Sequence, residues 1–122
     1  MRNARIFVEK KHGFDLEAAH LKETLNQNFN LSIRGLRILN VYDIFNVDEV
    51  LLERCKVGVL SEPVVDEIFE DFSLDGLTYL AVEFLPGQFD QRADSAMQCM
   101  SLLDPKTEAV IKSGKVYIFD AE

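Results

Sequence analysis

The sequence predicts an α+β domain of ferredoxin-like character, built from β-α-β units whose antiparallel or mixed sheet is packed by helices. Three observations lead there. Stretches with period-two apolar alternation take turns with stretches of helical spacing. An aspartate stands where each helix should begin. The resulting order, β-α-β-α-β-β-α-β, joins most strands through helices. Residues 1–77 read as one complete repeat, and residues 78–122 as a second repeat lacking its final helix and strand.

In chain order, residues 5–11 form a short strand with Ile6 and Val8 on one side and Phe7 and Glu9 on the other. His12 and Gly13 break it. Asp15 is the predicted N-cap of a first helix, with Glu17 in the first turn where the macrodipole favours an anion. Ala18, Leu21, Leu25 and Phe29 predict one buried stripe, fading near residues 28–30. Residues 31–34 read either way and Gly35 predicts a turn. Residues 36–45 alternate with both faces largely apolar, so this strand is covered on both sides or meets a partner on one.

Asp48 is the predicted cap of a second helix carrying Val50, Leu51, Arg54, Cys55 and Val57, with Gly58 near its end and Pro63 beyond. Residues 64–72 suit a strand or an irregular edge, since acids interrupt them and discourage unwanted pairing. Asp75-Gly76 marks a turn. Residues 79–85 read as a mostly buried strand, ended by Pro86-Gly87. Asp90 caps a third helix with Ala93, Ala96, Met97, Met100 and Leu103 on one face and Pro105 just past its end. A loop over residues 106–113 leads to a last strand at 115–119.

A chain of 122 residues supports one domain. Its net charge of −8 argues against a phosphate backbone as partner, and no basic run offsets it. Apolar runs of a few residues fall far short of the roughly 20 that span a bilayer. The first residues hold Arg2 and Arg5 but no apolar signal region, and Cys55 and Cys99 lack metal or redox spacing. Reduced, buried thiols in a cytoplasmic protein are the expectation.

Catalytic constellations are sparse. The two histidines, His12 and His20, sit at a strand end and on an amphipathic helix, and neither has a nucleophile at a telling spacing. Glu67, Glu70 and Asp71, or Asp43 and Asp48, follow no metal-ligand pattern, so no metal site is expected and a solvated acidic face accounts for them. Met97, Cys99 and Met100 read as core filler. The corner at residues 86–92 offers donors from Gln88, Gln91 and Arg92 to an anion or a neighbour, but has one glycine, no phosphate-loop motif and Asp90 at the electropositive helix end. The plain alternative pairs Arg92 with Asp90, Asp94 or Glu83.

The wording of three segments is more specific. LPGQFDQRADSA at residues 85–96, EKK-x-GFD-x-E at 9–17 and SEPVVDE at 61–67 resemble the amino-terminal region of phosphoribosylformylglycinamidine synthase, in the form carrying all its parts on one long polypeptide. The resemblance covers nearly the whole chain and implies a pair of ferredoxin-like units, here cut short. It implies a parent ligase of purine biosynthesis that uses ATP, magnesium and glutamine. The nucleotide, metal and glutaminase residues of that enzyme belong to other parts and are not expected here, nor is activity or a cofactor in this chain alone. Implied partners are the synthetase and glutaminase domains, or a second copy. An interface role for Gln88, Phe89, Asp90, Gln91 and Arg92 follows, without bond-making chemistry. The alternative is a free-standing regulatory or small-molecule-binding module.

Overall fold

The computed structural model describes residues 1–121 and has the expected class: an α+β domain in which three helices pack on a five-stranded antiparallel sheet. The elements are β1 (Arg2–Lys10), α1 (Leu16–Phe29), β2 (Ile33–Val47), α2 (Glu49–Lys56), β3 (Asp66–Phe69), β4 (Thr78–Glu83), α3 (Gln91–Leu103) and β5 (Val110–Ala121). The sheet order is β3-β1-β2-β5-β4. Every neighbouring pair is antiparallel, so α1 and α3 each join two adjacent strands of opposite direction.

Alternation along the strands separates two cores. One lies under the helices: Ile6, Val8, Tyr42, Ile44 and Ile111 from the sheet meet Leu51, Leu52 and Cys55 of α2 and Ala93, Ala96 and Met100 of α3. The other, on the opposite face, gathers Phe7, Leu39, Val41, Val116 and Ile118 beneath Phe69, Phe72 and Leu74. The two apolar faces of β2 are therefore both covered within the chain. Phe72 completes the lid, its ring 5.4 Å from Phe7 and 5.5 Å from Phe69, with the Arg37 guanidinium 5.2 Å above it.

The registers contain a further regularity. Val8 lies opposite Asn40, Asn40 opposite Lys115, and Lys115 opposite Val82. A two-fold axis normal to the sheet through the Asn40–Lys115 pair thus exchanges β1-α1-β2 with β4-α3-β5. Sequence follows the exchange. Val8-Glu9 matches Val82-Glu83, Gly13-Phe14-Asp15 matches Gly87-Gln88-Phe89-Asp90, and Val41-Tyr42 matches Val116-Tyr117. Gly13 and Gly87 share a left-handed backbone, φ +92° and +89°, which glycine adopts without the Cβ penalty. Among the described residues, the element without a counterpart is α2–β3.

Several sequence expectations are revised. Gly35 is no turn but lies inside β2, where the register against β5 shifts, and β5 begins at Val110 within the expected loop. In α1 only Ala18 is buried and Phe29 is 66% exposed, because the helix packs chiefly against β2, with little beyond it to cover its apolar stripe. In α2 it is Leu51, Leu52 and Cys55 that turn inward, while Val50 and Val57 face solvent. Cys99 is an exposed free thiol on the outer side of α3, unlike Cys55, whose pKa burial raises. Among the described residues no helix is long and apolar enough to cross a membrane.

Candidate functional site

The corner between β4 and α3 is built by local backbone rules. Pro86 and Gly87 occupy the centre of a turn closed by the Gln88 N–H donating to the Leu85 carbonyl, 3.0 Å. Proline first and a positive-φ glycine second is the type II pattern. The Gln88 side chain folds back over this turn, its Oε1 accepting from the Leu85 N–H at 2.6 Å.

Asp90 holds the corner to the sheet. Its carboxylate accepts from the Ala93 N–H at 3.0 Å, capping α3, and from the Ser113 N–H and hydroxyl of β5 at 2.7 and 2.6 Å. Burial raises its pKa, but the Ser113 hydroxyl, the Ala93 and Ser113 amides and the Arg92 charge outweigh that and leave it below the usual value. Arg92 takes none of the three carboxylate partners foreseen for it and donates instead to the Tyr42 hydroxyl, 3.3 Å away. Of the five residues singled out in the sequence, then, Gln88, Asp90 and Arg92 are engaged within the chain. Phe89, 70% exposed, and the exposed Gln91 point outward.

What sequence reasoning missed is the strand before the corner. The expectation of a mostly buried strand at residues 79–85 is overturned: Leu77, Tyr79, Leu80, Val82, Phe84 and Leu85 are 41–67% exposed. The cause is position. β4 is the sheet's terminal strand, and α3 packs on β5 rather than over it. With Phe89, these side chains form an apolar ridge along an unpaired strand edge.

Behind the ridge, on the face away from the helices, lies a groove of about 520 Å³. Ala81, Gly114 and Val116 form its floor, Tyr79 and Leu74 its walls, and Arg5, Asp43, Glu83 and Lys112 its polar end. Arg5 grips Asp43 through two hydrogen bonds, 2.6 and 3.2 Å. Gly114 is required where it stands, since a Cβ there would meet the Val82 carbonyl oxygen at 2.7 Å. Among the described residues no group of three His, Cys, Asp or Glu side chains could hold a metal ion.

Chemically, the region provides apolar contact, unpaired backbone donors and acceptors, and a few fixed charges. Among the described residues, no histidine or thiol lies on it. No protein-family model, curated protein or solved structure matches the chain.

Proposed function

We propose that this chain is a docking domain, without chemistry of its own, from an amidotransferase of the phosphoribosylformylglycinamidine synthase type. The observation that carries a docking role is the apolar ridge of β4 and Phe89 beside an open strand edge. The enzyme class rests on the resemblance of residues 9–17, 61–67 and 85–96 to the amino-terminal region of that synthase. In this reading the domain is cytoplasmic and buttresses the synthetase part, which binds ATP and magnesium. It also helps align the glutaminase part, so that ammonia passes between them without escaping to water.

Reconstitution tests it. The remainder of such a synthase, expressed without its amino-terminal domain, is mixed with this chain, and glutamine-dependent formation of the amidine is followed with ATP. Rescue that falls when Phe89→Ala or Leu80→Ser is introduced is the expected result. Absence of rescue with a folded, soluble chain overturns the assignment.

The groove of about 520 Å³ favours a second reading, a free-standing regulatory module that binds a small molecule. A metabolite that raises the melting temperature of the isolated chain, and loses that effect in Gly114→Ala, would favour it.

A further inference from the structure

The two-fold relation inside the sheet shows what an edge of this kind accepts. On the β1 side, the outer edge is taken by β3, with Phe7 opposite Phe69, Val8 opposite Ile68, Glu9 opposite Glu67 and Lys10 opposite Asp66. Ile68 then packs into the core under the helices, and Phe69 into the core on the other face. The axis through Asn40 and Lys115 carries Phe7, Val8 and Glu9 onto Ala81, Val82 and Glu83, with Phe84 next along the chain in the place of Lys10. That edge is open, and all six residues of β4 are exposed.

We infer that the β4 edge receives an extended segment of another polypeptide, pairing antiparallel with residues 81–84 in the register that β3 uses on β1. The inference names the occupant of the docking surface. It stands on the internal repeat and not on the enzyme class.

Differences between the halves set the chemistry of that segment. Phe7 and Leu39 on the covered side correspond to Ala81 and Gly114 on the open side, so the floor there is lower by two large side chains. The residue opposite Ala81 must therefore be bulky, an aromatic side chain filling the groove as Phe69 fills its smaller site. Opposite Val82, on the helix side, an aliphatic residue continues the core as Ile68 does. Opposite Glu83, the one acid of β4, a lysine or arginine suits better than the glutamate of β3, and in a chain of net charge −8 a cationic partner is favoured at longer range too. Opposite Phe84, where β3 sets Asp66 against Lys10, an apolar residue is required. Read from its amino end, the segment is apolar, basic, aliphatic, aromatic. Main-chain hydrogen bonds supply the generic affinity and these four side chains the selection.

The probe is a synthetic peptide copying residues 62–74 of this chain with Asp66→Val and Glu67→Lys. Amide hydrogen exchange of the whole chain is followed with and without about 1 mM peptide. The expected result is at least about tenfold slower exchange at the outward-facing amides of β4, with α1 and β3 unchanged. The same peptide with Phe69→Pro loses a ladder donor, since residue 69 lies in a hydrogen-bonded pair of this register, and gives no protection. The unmodified acidic copy binds at least about tenfold more weakly, a gap that narrows as salt is added.

Binding that leaves β4 amides unprotected, or equal protection by the proline peptide, overturns the proposal. So does concentration-dependent protection of β4 without peptide, with a dimer in sedimentation, because the occupant is then a second copy. Peptide binding without rescue in the reconstitution would remove the enzyme class and leave the strand site. Rescue without peptide binding would do the reverse.

Discussion

The outer edges of β1 and β4 start from related sequences and end in opposite environments. Val8-Glu9 and Val82-Glu83 occupy equivalent places in their units, yet Val8 is buried and Val82 is 47% exposed. The difference comes from elsewhere in the chain: β3 and the Phe72 lid come to β1, and among the described residues nothing comparable comes to β4. Burial of a strand is thus a property of its neighbours, not of its own pattern. An apolar strand left on an edge remains an invitation to pair.

That contrast can be broken from either side. The largest effect is expected at Leu39, fully buried beneath the Phe72 lid. Leu39→Ala should cost about 2–5 kcal/mol in denaturant unfolding, through lost transfer energy and a cavity. Its counterpart is Gly114, and Gly114→Ala pushes a methyl group toward the Val82 carbonyl. About 1–3 kcal/mol should be lost there, with faster hydrogen exchange in β4 before any other strand.

The helix caps sharpen the comparison. Asp90→Ala removes three hydrogen bonds, one capping α3 and two joining it to β5, and should cost about 1–2 kcal/mol. Asp15→Ala should cost only a few tenths, about 0.5 kcal/mol or less, because Asp15 makes no side-chain bond to α1 and accepts only from the Gly13 N–H. The Asp90 effect has a pH signature. Its folded-state pKa is depressed, so the contribution is complete above the unfolded carboxylate value of about 4 and is lost as pH falls through the lower folded value. Stability of the parent chain and of Asp90→Ala should therefore converge in acid, measured by urea unfolding across that range. Glu70, held below its usual pKa by hydrogen bonds from Lys56 and Arg2, pulls the parent curve in the same direction.

The smallest stability effect belongs to the ridge. Leu80→Ser, at a side chain 55% exposed, should change unfolding by less than about 0.5 kcal/mol. The same change should weaken the segment binding inferred for β4, so the measurement pairs a silent melting curve with a lost complex.

Much of the architecture could be read in the residues. Asp48 caps α2 by accepting from the Val50 and Leu51 amides, and Asp90 caps α3, both as their spacing predicts. The Pro86-Gly87 corner and the two apolar faces of β2 were also legible, since turn dihedrals and alternation are local properties. Only the fold shows that the chain's own Phe69, Phe72 and Leu74, and not a partner, cover the second face. The exposure of β4 was not, because TYLAVE is as apolar as a buried strand and only the sheet order shows that its outer side is empty. The engagement of Gln88, Asp90 and Arg92 within the fold was hidden likewise. Ser113 and Tyr42, which bind two of them, lie 23 and 50 residues away. A second repeat from residue 78 was legible in the order of elements, but its residue-by-residue match was disguised by one inserted residue, Gln88, which shifts GFD against GQFD and defeats comparison at fixed spacing.

The central pairing of β2 with β5 has a consequence for how the chain is made. It joins residues 33–47 to residues 110–121, so the middle of the sheet closes only when β5 is available. On a ribosome, β1, α1 and β2 emerge first and must wait, with one long side of β2 unsatisfied, while β3, β4 and α3 are added. Synthesis paused before residue 110 would leave a partly assembled sheet with a sticky interior strand. Nascent chains of that length are where chaperone engagement, or aggregation in its absence, should be greatest.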